Sequence, residues 1–532
     1  MKKLAAIDIG TNSIKLLVAS VEEDGFLEIV SREKETIRLG SDTLASSRLS
    51  EEAIVAGVEA VRTLARVARA AEAELVGVVA TCAVREASNG DEFVEAVAKR
   101  AGVAVEVISG EEEARLINLA ARSEFPAELD PLLMIDVGGG STEFVVSRGS
   151  RVLLTESVPM GVVRLAQRFG RNDPPSEDDL RDMKKAVRAV ARRAAQAVRK
   201  TGFRTCVGSS GTIQSLSMVH EAAIHGREPV RSGHRILTRR GLKSVNRLLR
   251  RTTLKEKLKI AGLDPRRRDI AVAGGLLLAW ILKRTGGDEI LVGERGLREG
   301  VLLDYILRHG EKRVADRDLR ARSVDRLLRR SNTDAAHAVE VARLALDLFD
   351  QTHALHQLAG AEREWLRYGA LLHDVGCSVG YAKHQRHSAY LISHADLTGF
   401  SAQEIEVLAA VARYHQGSLP KSSDEIWQRL DPSYHRPVVE KLVALLRIAD
   451  GLDQSHRQVA TALSCRVRSR RLELEISARA DCEAELTAAR KRANLFRKVF
   501  GRKVLLRAVP VGRSEAVRQK SLEIVPVDAL WK

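Results

Sequence analysis

The sequence predicts two α/β lobes, then an all-α region and a small C-terminal α/β segment, and three observations carry that prediction. The stretch Leu132–Val146 reads as an apolar strand, a glycine-rich turn and a second strand, with Asp136 entering the turn and Glu143 leaving it. The opening of the chain repeats the device: Leu4–Ile7 is a short strand, Asp8 ends it, Gly10, Thr11, Asn12 and Ser13 make the turn, and Ile14–Ala19 resume apolar character. Beyond a basic linker at Arg308–Arg322 the pattern changes to long amphipathic helices. Two copies of one strand–turn–strand unit imply two lobes facing each other across a cleft, each giving one loop to a shared phosphate. At 532 residues the chain exceeds what one core supports, and the expected segments are 1–130, 131–307, 308–462 and 463–532.

Each loop has a physical reason to hold an anion. In Gly138-Gly139-Gly140-Ser141 the missing Cβ atoms let several N–H groups point at one oxygen. Asp136 and Glu143 stand at the two ends of that turn, where hard carboxylate oxygens suit a magnesium ion beside the phosphate, and a plain hairpin tip would need neither. A third turn, Gly208-Ser209-Ser210-Gly211-Thr212, follows the strand-like Thr205–Val207 and opens a helix near Ile213, so a helix N-terminus adds another anion site.

Between the loops, the first lobe runs through strands near Glu28–Arg38 to a helix opened by Ser50, with Glu51 and Glu52 in its first turn and Ile54, Val58, Val61, Ala65 and Ala68 on one face. The strand Leu75–Ala80 then leads to Arg85. In the second lobe Ser176 caps a helix with Leu180, Met183, Val187, Val190 and Ala194 on one side. Ala271–Leu282 reads as a buried helix too short to span a bilayer.

In the helical region, His337 lies on the side of Val341, Leu344 and Leu348, where a lone histidine would be an ordinary core residue. It has company: His373-Asp374 ends another apolar helix, His387 follows a turn containing His384, His415 closes the helix from Ala402, and Asp450 ends the helix Val438–Ala449. The order His, His-Asp, His, His, Asp resembles the metal-dependent His-Asp (HD) phosphohydrolase domain. That resemblance implies a second metal site from His337, His373, Asp374, His387, His415 and Asp450, holding manganese, iron or zinc. The remaining residues read as a strand Leu472–Ile476, a helix near Cys482–Phe496 and a strand Lys503–Val509.

Asp8–Ser13, Thr81–Ala87, Ile108–Leu116, Asp136–Glu143, Glu156–Gly161 and Gly208–Thr212 occur in that order and together resemble the exopolyphosphatase / guanosine pentaphosphate phosphohydrolase family over almost the whole chain. The resemblance implies the two-lobed actin-like ATPase (ribonuclease H-like) fold, hydrolysis of terminal phosphoanhydrides and a homodimer. It also implies roles. Its water-activating carboxylate stands immediately before Ala-Arg-Leu, which falls on Glu113, with Glu112 the neighbour most easily confused with it. Arg85 lies at the cleft, where a planar guanidinium suits phosphate oxygens. Asp8, Asp136 and Glu143 hold magnesium, and Gly10, Thr11, Asn12, Ser13, Gly138, Gly139, Gly140, Ser141, Gly208, Ser209, Gly211 and Thr212 hold phosphate. Three adjacent acids opening a helix are otherwise common complements of the helix dipole.

Composition fits these expectations. Five scattered cysteines without CxxC pairs argue for a reducing, cytoplasmic setting without disulfides or a thiolate zinc site. Asp8 breaks the first apolar run, against a signal peptide, and no membrane association is expected. The net charge of +16 calls for a polyanion, yet only 4% of residues are aromatic and no strand interleaves basic and aromatic residues in the way that stacks bases, so inorganic polyphosphate or guanosine pentaphosphate is expected rather than nucleic acid. Many arginines on long helices would face solvent in any case. The expected activity is release of terminal orthophosphate from polyphosphate. The alternatives are a guanosine pentaphosphate phosphohydrolase, or a metal phosphohydrolase in the helical region with the lobes as a sensor.

Overall fold

A computed structural model describes residues 2–22, 27–40, 47–126, 129–149, 151–225, 235–309, 319–418 and 420–509. Residues 310–318 of the basic linker lie outside the described residues. The chain forms two compact units, the first essentially residues 1–319 and the second essentially residues 320–532.

In the first unit, β1 (Lys2–Ile9), β2 (Ile14–Val21), β3 (Leu27–Glu35), β4 (Glu74–Ala80) and β5 (Glu106–Val107) form one sheet in the order β3-β2-β1-β4-β5. Strands β1 to β3 are antiparallel neighbours, and β4 and β5 continue in parallel from β1. The second sheet takes β6 (Leu132–Val137), β7 (Thr142–Arg148), β8 (Arg151–Val158), β9 (Thr205–Gly208), β10 (Arg235–Thr238) and β11 (Glu289–Val292) in the order β10-β11-β9-β6-β7-β8. Omitting the antiparallel edge strand β10, the second sheet repeats the first: three antiparallel strands, then two parallel to the leading one. The duplication expected from the two loops thus extends to the whole topology of both lobes.

The leading strands are apolar on both faces because both faces are covered. Ala5, Ile7 and Ile9 of β1 join the core beneath the helix Glu51–Ala70, whereas Leu4 and Ala6 join a core with Leu132 and Met134 of β6 and Leu297–Ile306. Likewise Leu133, Ile135 and Val137 of β6 face their own lobe's core. The period-2 alternation therefore divides each strand between a lobe core and a core shared by both lobes. The helix Leu297–His309 ties the lobes: Arg298 Nη1 donates to Leu16 O at 2.7 Å, and Arg32 pairs with buried Glu299 at 3.3 Å.

The expected helix caps are present. Ser50 Oγ accepts from Ala53 N at 3.3 Å, and Ser176 and Asp179 form a reciprocal capping box. Ala271–Thr285 is a buried helix, and no helix among the described residues is long and apolar enough to cross a membrane.

The second unit carries the helices Leu319–Arg330, Ala335–Gln351, Gly360–Leu372, His384–His394, Ala402–Tyr414 and His435–Gly451, with shorter turns between them. A sheet follows in the order β12 (Ala460–Val467), β13 (Arg471–Ala478), β14 (Lys503–Val509). The boundary expected at 462/463 is not a boundary here. Leu472, Leu474, Ile476, Leu486, Phe496 and Leu506 share one core with Val341, Leu366, Leu408 and Leu442. The helix expected over Cys482–Phe496 is two, Glu483–Arg492 and Asn494–Phe500.

Candidate active site

The two glycine hairpins are built alike. Gly10 N donates to Ser13 O at 3.2 Å and Gly138 N to Ser141 O at 3.0 Å, so each turn is closed by the same bond. Thr11 of one hairpin meets Gly139 of the other: a Cβ on Gly139 would come within 2.9 Å of Thr11 Cβ, so only glycine permits this approach. The chain after β8 then clasps the second turn, with Val162 N donating to Gly138 O at 3.0 Å and Val163 N to Gly139 O at 2.9 Å. Gly161 is obligatory there, since a Cβ would lie 2.2 Å from Gly139 O. The third turn also behaves as expected, with β9 ending at Gly208, the helix Gly211–His225 following, and Ser210 Oγ accepting from Ile213 N at 3.3 Å. Asn12 Nδ2 and Ser209 Oγ are buried among the described residues without a hydrogen-bond partner, two unspent groups on two of the three loops.

Four carboxylates face this space. Asp8, Glu113 and Glu143 are buried, and Asp136 sits beside them at the end of β6. Burial pushes Asp136 up to about 6, Asp8 adding to the shift and Lys15 and Arg267 opposing it. Glu143 is pushed well above the usual carboxylate range by burial, then by Glu113 and Asp136, against the 3.0 Å hydrogen bond from Ser157 Oγ. Burial likewise takes Glu113 up to about 7; Arg85 opposes this and Asp136 and Asp8 reinforce it. The four groups therefore sense one another in a poorly solvated space.

The structure separates the two glutamates that the sequence left adjacent. Glu112 turns outward, bound by Arg115 at 2.8 and 2.7 Å, and that contact lowers its pKa. Glu113 turns inward and pairs with Arg85 Nη1 at 3.2 Å. The same Arg85 Nη1 donates to Ile108 O at 2.7 Å, so this edge of the guanidinium grips Glu113 and the backbone beneath it.

Four carboxylates in one crowded, poorly solvated space fit magnesium, which keeps several waters and takes one or two carboxylates together with substrate phosphate oxygens.

The cationic members of the site were missed in the sequence. Lys15 lies 3.6 Å from Asp8. Arg267 lies over the third loop, its Nη2 2.3 Å from where a Cβ of Gly211 would stand. Lys34 is half-buried 3.6 Å from Asp264, and burial, then Arg267, lower its pKa to about 8. Arg267 stands in the basic run Arg266–Arg268, which in sequence reads only as charge, whereas Lys15 and Lys34 sit on β-strands where an isolated lysine reads as solvent-facing.

The histidines and aspartates of the helical unit also converge, with one substitution among them. His337, His373, Asp374, His415 and Asp450 come together as expected, and His384 rather than His387 completes the cluster. Lys383 has φ of 59° and precedes the helix His384–His394, so the helix begins at the cluster with His384 and carries His387 a turn further on.

Two sheets of one topology, the second with an added edge strand, and glycine hairpins meeting from both, beside buried carboxylates, lysine and arginine, define a two-lobed protein of the actin-like class. The chain belongs to the Ppx/GppA phosphatase family: the family model matches residues 17–309, and the model of the family's domain III matches residues 319–491. An exopolyphosphatase from Cytophaga hutchinsonii is similar in structure, 28% identical over 58% of this chain and 99% of that one, with a TM-score of 0.54. An exopolyphosphatase-like protein is 28% identical over 57% of this chain and 99% of that one, with a TM-score of 0.51. The Ppx/GppA member from Aquifex aeolicus is 29% identical over 58% and 99%, with a TM-score of 0.49.

Proposed function

We propose that this member of the family is an exopolyphosphatase, releasing terminal orthophosphate from inorganic polyphosphate by attack of water in the cleft between the lobes. The observation that carries the reading is Glu113: a buried carboxylate pushed up to about 7 and held by Arg85 beside two phosphate-shaped turns. A base of that strength can take a proton from water near neutral pH. The backbone N–H groups of the turns at Gly10–Ser13, Gly138–Ser141 and Gly208–Thr212 bind the terminal phosphates, and Asn12 Nδ2 and Ser209 Oγ supply hydrogen bonds not otherwise used. Lys15, Lys34 and Arg267 set the next phosphates of the chain against positive charge. Asp136 and Glu143, with Asp8 nearby, would hold magnesium, which supplies neutralisation of charge on the transferring group. Glu113 orients the water and accepts its proton, and Arg85 keeps Glu113 aimed. The reaction needs no covalent intermediate.

Guanosine pentaphosphate presents the same terminal anhydride, but a cleft walled by lysine and arginine favours a partner that is phosphate along its whole length. The test is orthophosphate release by the purified protein from long-chain polyphosphate and from guanosine pentaphosphate under identical conditions. The expected outcome is a kcat/KM at least about tenfold higher for polyphosphate, roughly 1.4 kcal/mol in the transition state. A preference of that size for guanosine pentaphosphate would overturn the substrate assignment and leave the cleft chemistry intact.

A further inference from the structure

The second lobe carries a cavity that the cleft reaction does not use. It lies between the helices Glu177–Thr201 and Ala271–Thr285, has a volume of about 270 Å³, and is lined by Arg188, Arg192, Gln196 and Arg199 from the first helix and by Trp280 and Arg284 from the second. Spacing explains the convergence. Positions 188, 192, 195 and 199 recur at intervals of four and three, so they share one stripe of their helix, and 280 and 284 stand one turn apart on theirs. Beneath them Ala191, Ala194 and Val198 share a core with Leu277, Leu278 and Ile281, which holds the two helices against each other. The cavity is separate from the cleft. Gly274 of the second helix is the residue that abuts the third turn, where a Cβ would stand 2.5 Å from Thr212 Cγ2, and Arg284 lies about 15 Å further along at 1.5 Å of rise per residue.

Many arginines of this chain simply face water, but these four are set apart by what surrounds them. At the start of the same helix the exposed arginines have carboxylates: Arg181 pairs with Asp178 and Arg171 with Asp182, both at 2.7 Å. Among the described residues no ion pair or hydrogen bond engages Arg188, Arg192, Arg199 or Arg284, and no carboxylate lines the cavity. Arg199, in the last turn, complements the helix dipole; Arg188 and Arg192 lie one turn apart in mid-helix, where like charges repel. Four guanidiniums around one concavity without counter-charge favour an anion carrying several charges. The two remaining groups narrow its chemistry. Trp280 is a partly buried aromatic wall packed on the lobe core, with the Arg284 guanidinium 5.9 Å from its ring centroid. An indole beside a guanidinium is a stacking surface for a planar base, and the Gln196 amide both donates and accepts, as the edge of a base requires. A bare phosphate chain has use for neither.

We propose that this cavity is a binding site for a nucleoside di- or triphosphate, with the base against Trp280 and Gln196 and the phosphates among Arg188, Arg192, Arg199 and Arg284. Its volume stands near the lower end of small-molecule sites, about 300 Å³, which suits one nucleotide and not a strand. The two anion sites of the chain then differ in what accompanies the charge: glycine turns and carboxylates in the cleft, an aromatic ring and an amide here. The site does not rest on the exopolyphosphatase reading.

The test is titration of the full-length protein in EDTA with a fluorescent N-methylanthraniloyl derivative of adenosine triphosphate, followed by displacement with unlabelled adenosine triphosphate and with inorganic tripolyphosphate. The wild type is expected to bind the probe and to release it to adenosine triphosphate at a concentration at least about tenfold lower than to tripolyphosphate. Arg192→Glu/Arg284→Glu, changed at two exposed positions, should bind the probe at least about tenfold more weakly, while orthophosphate release from polyphosphate without nucleotide stays within about twofold of the wild type. That second readout keeps a failure of this site distinct from a failure of the cleft chemistry. No binding of the probe by the wild type, or unchanged binding by the folded arginine variant, overturns the site. Displacement by tripolyphosphate as effective as that by adenosine triphosphate overturns the nucleotide assignment.

Discussion

Across the first hairpin Asp8 faces Lys15, and across the second Asp136 faces Glu143, the two pairs standing at the same register one step outside the residues that flank each turn. The backbones agree down to the bond that closes each turn, and the difference in charge lies in the residue opposite the aspartate, Lys15 in one hairpin and Glu143 in the other. Lys15 stands 3.6 Å from Asp8 in the first hairpin, whereas in the second burial and neighbouring acids push Asp136 up to about 6 and Glu143 well above the usual carboxylate range. The two lobes thus share one glycine turn and differ in what faces its aspartate, a lysine in one and a glutamate in the other, which under the proposed function would serve phosphate and a metal ion respectively. The two halves of the cleft are alike in shape and complementary in charge.

The largest effect should come from the acidic side of that comparison. Asp136→Asn keeps the turn and removes a charge, and is expected to lower kcat/KM for polyphosphate by about a thousandfold, as read by orthophosphate release. Lys15→Met, which removes the cation from the other hairpin, should lower it by about ten- to a hundredfold, the worth of one charge-assisted hydrogen bond to a phosphate oxygen. Equal losses in the two variants would mean that the hairpins are not divided in role.

A smaller effect concerns stability. Glu113 and Asp136 have folded-state pKa values raised to about 7 and about 6, above their ordinary values near 4, so between these limits the folded protein binds more protons than the unfolded chain. Their contribution is therefore full below about pH 4 and is lost as pH rises through about 6 to 7. Magnesium should offset that loss by pairing with the ionised carboxylates, so it should raise Tm more at pH 8 than at pH 5.5, by about 2–4 °C, in thermal denaturation. Asp136→Asn should shrink the difference, and a magnesium shift independent of pH would place the ion away from these groups.

The parts of this comparison legible in the sequence are those that sit in one window. Gly138–Ser141 with its flanking acids, and the matching run at Asp8–Ser13, need only neighbouring residues to be recognised, and so do the caps at Ser50 and Ser176. Lys15, Lys34 and Arg267 come together from positions as far apart as 15 and 267, and no local pattern marks that meeting. Periodicity also could not tell Glu112 from Glu113 at a helix start, because the choice depends on Arg115 and Asp304 drawing one outward and Arg85 drawing the other in. At the helical cluster, the helix begins at His384, directly after Lys383 with its φ of 59°, and it is His384 that reaches Asp374 and His415. The apolar alternation of Leu472, Leu474 and Ile476 predicted a strand, but not that its inner face would join the core of the preceding helices.

The central claim is that Glu113, the inward member of the acidic triplet, takes the proton from the attacking water. Single-turnover orthophosphate release from long-chain polyphosphate by Glu113→Gln and Glu112→Gln, at saturating substrate and measured together, tests it most directly. The account predicts a loss of at least about a hundredfold for Glu113→Gln with substrate binding nearly unchanged, and less than about twofold for Glu112→Gln. An active Glu113→Gln beside a crippled Glu112→Gln would contradict it.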